Sequence, residues 1–191
     1  MPKYIIHAGP PKTASTYLQA GFRALSPDLR AAGIWYPDVM GDKQLGNSHG
    51  KLLRDLTGAQ SDDLREAFRQ FNAADARIVL LSAENFSSLA EPHLRNLRSY
   101  LDNNECTFVY YCRRWSDWMP SRWQQWVQSG TMSKTLPDEC AHILGQASRL
   151  PANFGIKLNR LSSVFGKEAL RLVSFNNLVD SEVDLLRHFC D

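Results

Sequence analysis

Lys12, Thr13, Ser15 and Thr16 follow directly on the apolar run Tyr4-Ile5-Ile6-His7-Ala8 and the breaker Gly9-Pro10-Pro11. A lysine and three hydroxyls in that position could hold an anion. A strand, a tight loop and a helix start aim several backbone N–H groups at one point. Lys12 adds a mobile positive charge, and the hydroxyls add donors. Arg113, just after the apolar run 107–112, and Ser121, eight residues later, could converge on a second anion, the arginine bidentately. Glu84, beyond the apolar run 77–82, and His49, in a polar stretch, are the candidates for accepting a proton. Each group also has an ordinary reading: a hydroxyl-rich β–α turn, a surface arginine paired with a carboxylate, a capping glutamate, a solvated loop histidine.

The elements that must position these groups follow from the apolar pattern. The run from Tyr4 is β-branched and reads as a buried strand. Glycine then permits unusual backbone angles, and proline cannot donate to a ladder. A helix is expected over about 16–31, and a short strand at Gly33-Ile34-Trp35-Tyr36-Pro37. Residues 38–50 form a polar, glycine-punctuated loop carrying His49. Helices follow at about 50–57 and 62–73, a strand at 77–82, a helix at about 91–102 and the most apolar strand at 107–112. The segment 115–128 reads as a helix begun or kinked at Pro120. Trp115, Trp118, Trp123 and Trp126 share about half of its wheel, either packing on the sheet or lining an adenine or acceptor pocket. Beyond the polar loop 129–136, helices are expected near 137–149 and 154–165, a strand at 170–175 and a last helix over 179–190. Strands separated by helices predict an α/β fold: three α/β/α layers around a central, mainly parallel sheet.

Composition narrows the function classes. At 191 residues the chain is expected to form a single domain over 1–191, with an ordinary 43% hydrophobic and 22% charged content. A net charge of +2 gives no argument for a nucleic-acid partner. No apolar run approaches membrane-spanning length, and the chain opens on a strand, so neither an anchor nor a leader is expected. Cys106, Cys112, Cys140 and Cys190 show no C-x-x-C spacing and no zinc-type cluster. They fit a reduced, cytoplasmic protein, with Cys106 and Cys112 as small buried hydrophobes. No metal is expected, for want of a dedicated acidic pair.

The first motif is not the G-x-x-x-x-G-K-[ST] loop of triphosphate-binding proteins, since Lys12 lies three residues after Gly9 and no glycine immediately precedes it. The pattern P-K-T-x-[ST]-T after a strand resembles the 5′-phosphosulfate loop of sulfotransferases that use 3′-phosphoadenosine 5′-phosphosulfate (PAPS). Arg113 and Ser121 match that family's R-x₇-S pattern for the 3′-phosphate, with Trp115 where a proline often stands. Gly33-Ile34-Trp35-Tyr36-Pro37, Ser82-Ala83-Glu84-Asn85 and the 165–175 stretch are similar to segments of bacterial and carbohydrate-type members. The resemblance implies a P-loop-type fold and sulfuryl transfer from PAPS to a carbohydrate, lipid or small-molecule acceptor. Pro11, Lys12, Thr13, Ala14, Ser15, Thr16, Arg113 and Ser121 would bind the cofactor. Lys12 would be catalytic, with Glu84 as first and His49 as second choice of base. Family members generally continue into a basic segment that closes over the nucleotide, which residues 176–191 lack. The rivals are a P-loop kinase for a nucleotide or metabolite, and a non-catalytic nucleotide-binding module. The acceptor and the oligomeric state are left open.

Overall fold

The computed structural model describes residues 1–38, 49–58, 62–145 and 153–190. Five strands run parallel in the order β2-β3-β1-β4-β5: β1 (Lys3–His7), β2 (Ile34–Trp35), β3 (Ile78–Ser82), β4 (Cys106–Cys112) and β5 (Leu170–Ser174). In the registers of β1, Ile6 pairs with Leu81 on one side and with Phe108 on the other. Because every strand points the same way, the loops after β1, β3 and β4 open on one edge. That is where a parallel α/β sheet binds ligands.

Helices fill both faces: α1 (Ser15–Ala24), α2 (Ser26–Ala31), α3 (Gly50–Thr57), α4 (Asp62–Asn72), α5 (Glu91–Tyr100), α6 (Trp115–Gln128), α7 (Leu136–Gly145), α8 (Phe154–Phe165), α9 (Phe175–Asp180) and α10 (Leu185–Cys190). Strand alternation decides which face each side chain serves. Tyr4, Ile6, Val79, Leu81, Cys106 and Phe108 join the core under α3, α4, α5 and α8. Ile5, Leu80, Val109 and Tyr111 instead meet Leu18 and Phe22 of α1 and Leu186 and Phe189 of α10. This is the α/β/α sandwich expected.

Three elements differ from the sequence expectation. The helix expected over 16–31 is two, because Pro27 at the start of α2 cannot donate back into α1, and Leu25 ends one helix and caps the next. The expected helix over 179–190 is likewise two short ones, α9 and α10. They are separated by a turn in which Glu182 takes a positive φ of 54°. Helix α6, by contrast, runs unbroken through Pro120. Cys106 is buried as expected, whereas Cys112 is only half-buried. The greater part of the polar loop carrying His49, residues 39–48, lies outside the described residues, as does 146–149 of the helix expected at 137–149.

Helix α10 is seated on α1 at Gly21. A Cβ there would stand 2.5 Å from Leu186, and Tyr17 donates from its hydroxyl to Asp184 at 2.6 Å. Phe108, wholly buried in the larger core, carries the sheet's packing onto α8 through Phe165 at a ring separation of 4.7 Å. Phe108→Ala is expected to destabilise the protein by about 3–5 kcal/mol. Urea unfolding, read as a lower midpoint at unchanged slope, checks this.

Candidate active site

The turn after β1 is built to turn its amides outward. Gly9 permits the approach: a Cβ there would lie 3.3 Å from the Thr13 hydroxyl and 3.5 Å from the amide nitrogen of Tyr111. Lys12 and Ala14 both take positive φ, 69° and 57°, while Thr13 between them does not. Alternating backbone hands over successive residues converge N–H groups into an anion-binding nest. Three carbonyls on the far side of the turn are all held. Thr13 Oγ1 donates to Pro10 O at 2.7 Å, Trp118 Nε1 to Pro11 O at 2.9 Å, and Arg113 Nη1 to Lys12 O at 2.6 Å. The amides of residues 12–15 donate to no protein acceptor among the described residues, and Ala14, the N-cap of α1, offers no side-chain cap. The half-buried Lys12 ammonium forms no ion pair among them either.

Beside this turn sits the carboxylate of Glu84, at the end of β3. Ser15 donates its hydroxyl to Glu84 Oε1, tying the first residue of α1 to the neighbouring strand end. Glu84 also lines an open cavity of about 740 Å³ with Thr16, Gln19, Leu53, Arg54 and His93. On the other side of β1, Arg113 leaves β4. Its guanidinium lies 5.4 Å from the Phe175 ring centroid, and its buried Nε has no acceptor among the described residues. Ser121, two turns into α6, is half-buried, and its hydroxyl makes no hydrogen bond among the described residues.

No protein-family model matches the sequence, and no curated protein matches it. Among solved structures, the chain is similar to the crystal structure of a sulfotransferase from Alicyclobacillus acidocaldarius. The TM-score is 0.60 at 14% sequence identity, covering 100% of this chain and 79% of that one. The two share a fold.

Within this sulfotransferase-like fold, the sequence-predicted residues separate into three groups. Lys12 and Ala14 shape the turn after β1, Ser15 at its end bonds Glu84, and Arg113 reaches the same turn from β4. Thr16 faces the cavity, whereas the Thr13 side chain is buried and turned back on Pro10, bracing the loop from within. His49 is enclosed beside the same strand end. It is 2% exposed, its Nδ1 accepts from the Ser82 amide at 2.9 Å, and its Nε2 donates to Pro37 O at 3.0 Å. A base needs a nitrogen open to the acceptor, and His49 has both engaged by backbone.

Trp118 braces the turn, and pattern reading left it undecided. Of the four tryptophans of α6 it alone is buried, and its indole N–H reaches the Pro11 carbonyl. Trp123 instead donates to Lys134 O, pinning the loop before α7. Nothing in the spacing separates Trp118 from its neighbours; only the position of the turn does.

Below the turn, His7 Nδ1 lies 2.8 Å from Ser82 Oγ, which also accepts from Gln19 Nε2 at 3.2 Å. Burial pushes His7 and His49 each down to about 4. Their folded pKa values lie below the unfolded value near 6.5, so both are neutral in the native protein. The stability this gives is fully present above about pH 6.5 and is lost as pH falls toward 4, by up to about 1.4 kcal/mol per pH unit and histidine. Urea midpoints measured across that window are expected to fall with pH, and His49→Gln to flatten the slope by about half. Ala14→Gly, which removes a Cβ from a left-handed residue, is expected to raise stability by about 0.5–1 kcal/mol.

Proposed function

We propose that this protein is a sulfotransferase that takes its sulfuryl group from PAPS and transfers it to a hydroxyl or amine of a carbohydrate, lipid or small-molecule acceptor. One observation carries the reading: Arg113, from the end of β4, bonds the carbonyl of Lys12 in the turn after β1. Arg113 therefore stands beside the Lys12 turn on one edge of the sheet, which supports a single nucleotide held by phosphates at both its ends. The shared fold with a sulfotransferase agrees with it.

The residues present suit such a ligand. The undonated amides of 12–15 and the uncapped start of α1 form a cradle for a 5′-phosphate. The orphaned Nε of Arg113 and the free hydroxyl of Ser121 are donors for a 3′-phosphate. When bound, PAPS supplies an activated sulfuryl group on a phosphate leaving group. Lys12 places its charge where negative charge gathers on the departing oxygen. Glu84, its Oε1 held by Ser15, offers Oε2 to the proton of the acceptor that enters through the cavity beside it. Pro11, Thr13 and Ala14 set the shape of the turn.

A thermal-shift panel tests this with 3′-phosphoadenosine 5′-phosphate, AMP, and ATP with and without Mg²⁺. The bisphosphate is expected to stabilise the protein most, and a larger, Mg²⁺-dependent shift with ATP would replace this reading by a kinase. Ser121→Ala, which breaks no internal bond, should leave the melting temperature unchanged, weaken the bisphosphate about tenfold and leave AMP alone. Lys12→Ala should lower kcat by about 10²–10³ with a smaller loss in bisphosphate affinity. Glu84→Gln should lower kcat by a comparable factor while leaving nucleotide affinity intact.

A further inference from the structure

The open cavity beside Glu84 carries two polar groups that the proposed chemistry leaves unused. The first is Gln19, which is 8% exposed and lines the cavity. It follows Ser15 by one turn of α1, so the two share a helical face with Cβ atoms about 6 Å apart. Ser15 is the residue that bonds Glu84. Gln19 Nε2 donates inward to the buried Ser82 hydroxyl at 3.2 Å, and His7 Nδ1 braces that hydroxyl at 2.8 Å. An amide is planar, so anchoring its nitrogen on the protein side turns Oε1 the other way. Oε1 has no donor among the described residues, and it is not enclosed. Gln19 therefore holds a fixed hydrogen-bond acceptor toward the cavity.

His93, in the first turn of α5, supplies the second group. Its Nδ1 is buried without a partner among the described residues, whereas Nε2 is equally unpartnered but not enclosed. Orphaned buried N–H groups are rarer than orphaned acceptors. The ring hydrogen therefore belongs on Nε2, and His93 presents a donor to the cavity. The rest of the wall selects against other ligand classes. Its charged residues are one of each sign, Arg54 and Glu84, so overall charge favours neither an anion nor a cation. Among the described residues no Phe, Tyr or Trp lines it, and an aryl ring finds no face to stack on. Leu53 and Leu89 are its only large aliphatic groups, too few to shelter an alkyl chain. A space of about 740 Å³ with an acceptor and a donor suits a molecule whose groups both give and take hydrogen bonds, as hydroxyls do.

We infer that this cavity takes an uncharged polyhydroxyl molecule, of the sugar or polyol class, and that Gln19 and His93 select it. Gln19 Oε1 accepts from one hydroxyl of the ligand, and His93 Nε2 donates to another. That the molecule is the acceptor of the sulfuryl group rests on the transferase reading; the preference of the cavity does not. Because Ser15 and Gln19 are neighbours on α1, a hydroxyl held by Gln19 brings another of the same molecule toward Glu84.

The test is binding to the full chain, read without turnover. The methyl glycosides of glucose, galactose, mannose and N-acetylglucosamine are titrated while the histidine ring signals are followed by NMR, His93 being assigned by its loss in His93→Phe. At least one glycoside is expected to move the His93 signal, and phenol and butanol to leave it in place. The responding glycoside should bind about tenfold more weakly to Gln19→Met and to His93→Phe, with the affinity for 3′-phosphoadenosine 5′-phosphate unchanged. Its deoxy analogues separate a contact from a structural role. The analogue lacking the hydroxyl held by Gln19 should bind the wild type more weakly and lose nothing further in Gln19→Met, which a mere disturbance of the Ser82 bond would not produce. His93→Phe breaks no internal bond and decides the matter should Gln19→Met fail to fold. No response to any glycoside, a response to phenol or butanol alone, or full-strength binding to either variant would overturn the inference. Failure of the bisphosphate to bind would instead remove the transferase reading, with the glycoside titration still deciding the cavity.

Discussion

Three successive carbonyls, of Pro10, Pro11 and Lys12, are each taken by a donor, and the candidate site depends on this constraint. A peptide unit has two polar ends that point in opposite directions. Fixing its oxygen on the protein side therefore fixes its neighbour's N–H on the solvent side. The left-handed conformations of Lys12 and Ala14 cost of the order of 1–2 kcal/mol each when no glycine supplies them. They persist because the Trp118 and Arg113 bonds over-determine the turn. Both donors belong to the β4–α6 segment, a hundred residues away in sequence, so the cradle is shaped only when β4 has paired with β1. Local sequence starts the turn, and tertiary structure holds it.

The electrostatics of the edge follow from the same arrangement. An exposed helix start and a nest of amides attract negative charge, and Lys12 in the turn and Arg113 from the end of β4 add positive charge beside it. Into this field the fold introduces one carboxylate, Glu84, and holds it by the Ser15 hydroxyl rather than by a salt bridge. Beneath the edge, His7 and His49 are kept neutral by burial and add no charge of their own.

The sequence was most informative where function and local backbone coincide. Gly9-Pro10-Pro11 followed by Lys12 and hydroxyls could be read as a turn at the end of a strand because those residue types are the ones such a turn needs, and β1 and α1 lie on either side of it. The apolar strands and their helices were legible for the same reason, since alternation and 3.6-residue periodicity are local. What could not be read is what depends on distant partners. His49 looked like a loop residue because its flanks are polar. It is buried because the backbone of Ser82 and Pro37, from two other elements, engages both its nitrogens. Thr13 was counted among the donors to a ligand, yet its hydroxyl closes the turn internally. The break at Leu25 could have been found from Pro27, while the split between α9 and α10 rests on Glu182 in a left-handed turn, which its side chain does not announce.

Helix α6 shows how one packing contact can fix a whole helical face. Trp118, Ser121 and Arg122 stand at i, i+3 and i+4, the spacing that stacks side chains on one helical face. Trp118 is buried against the turn after β1 and near the Phe154 ring of α8, which fixes the rotation of the helix about its axis. Once that rotation is set, Ser121 and Arg122 have no independent choice of direction. Arg122 lies against Gln125 and the Trp126 ring, and Ser121 stands beside it on the same face. The indole N–H on the Pro11 carbonyl then does more than close a hydrogen bond. It couples the shape of the turn after β1 to the placement of Ser121 and Arg122 on the helix that carries the indole.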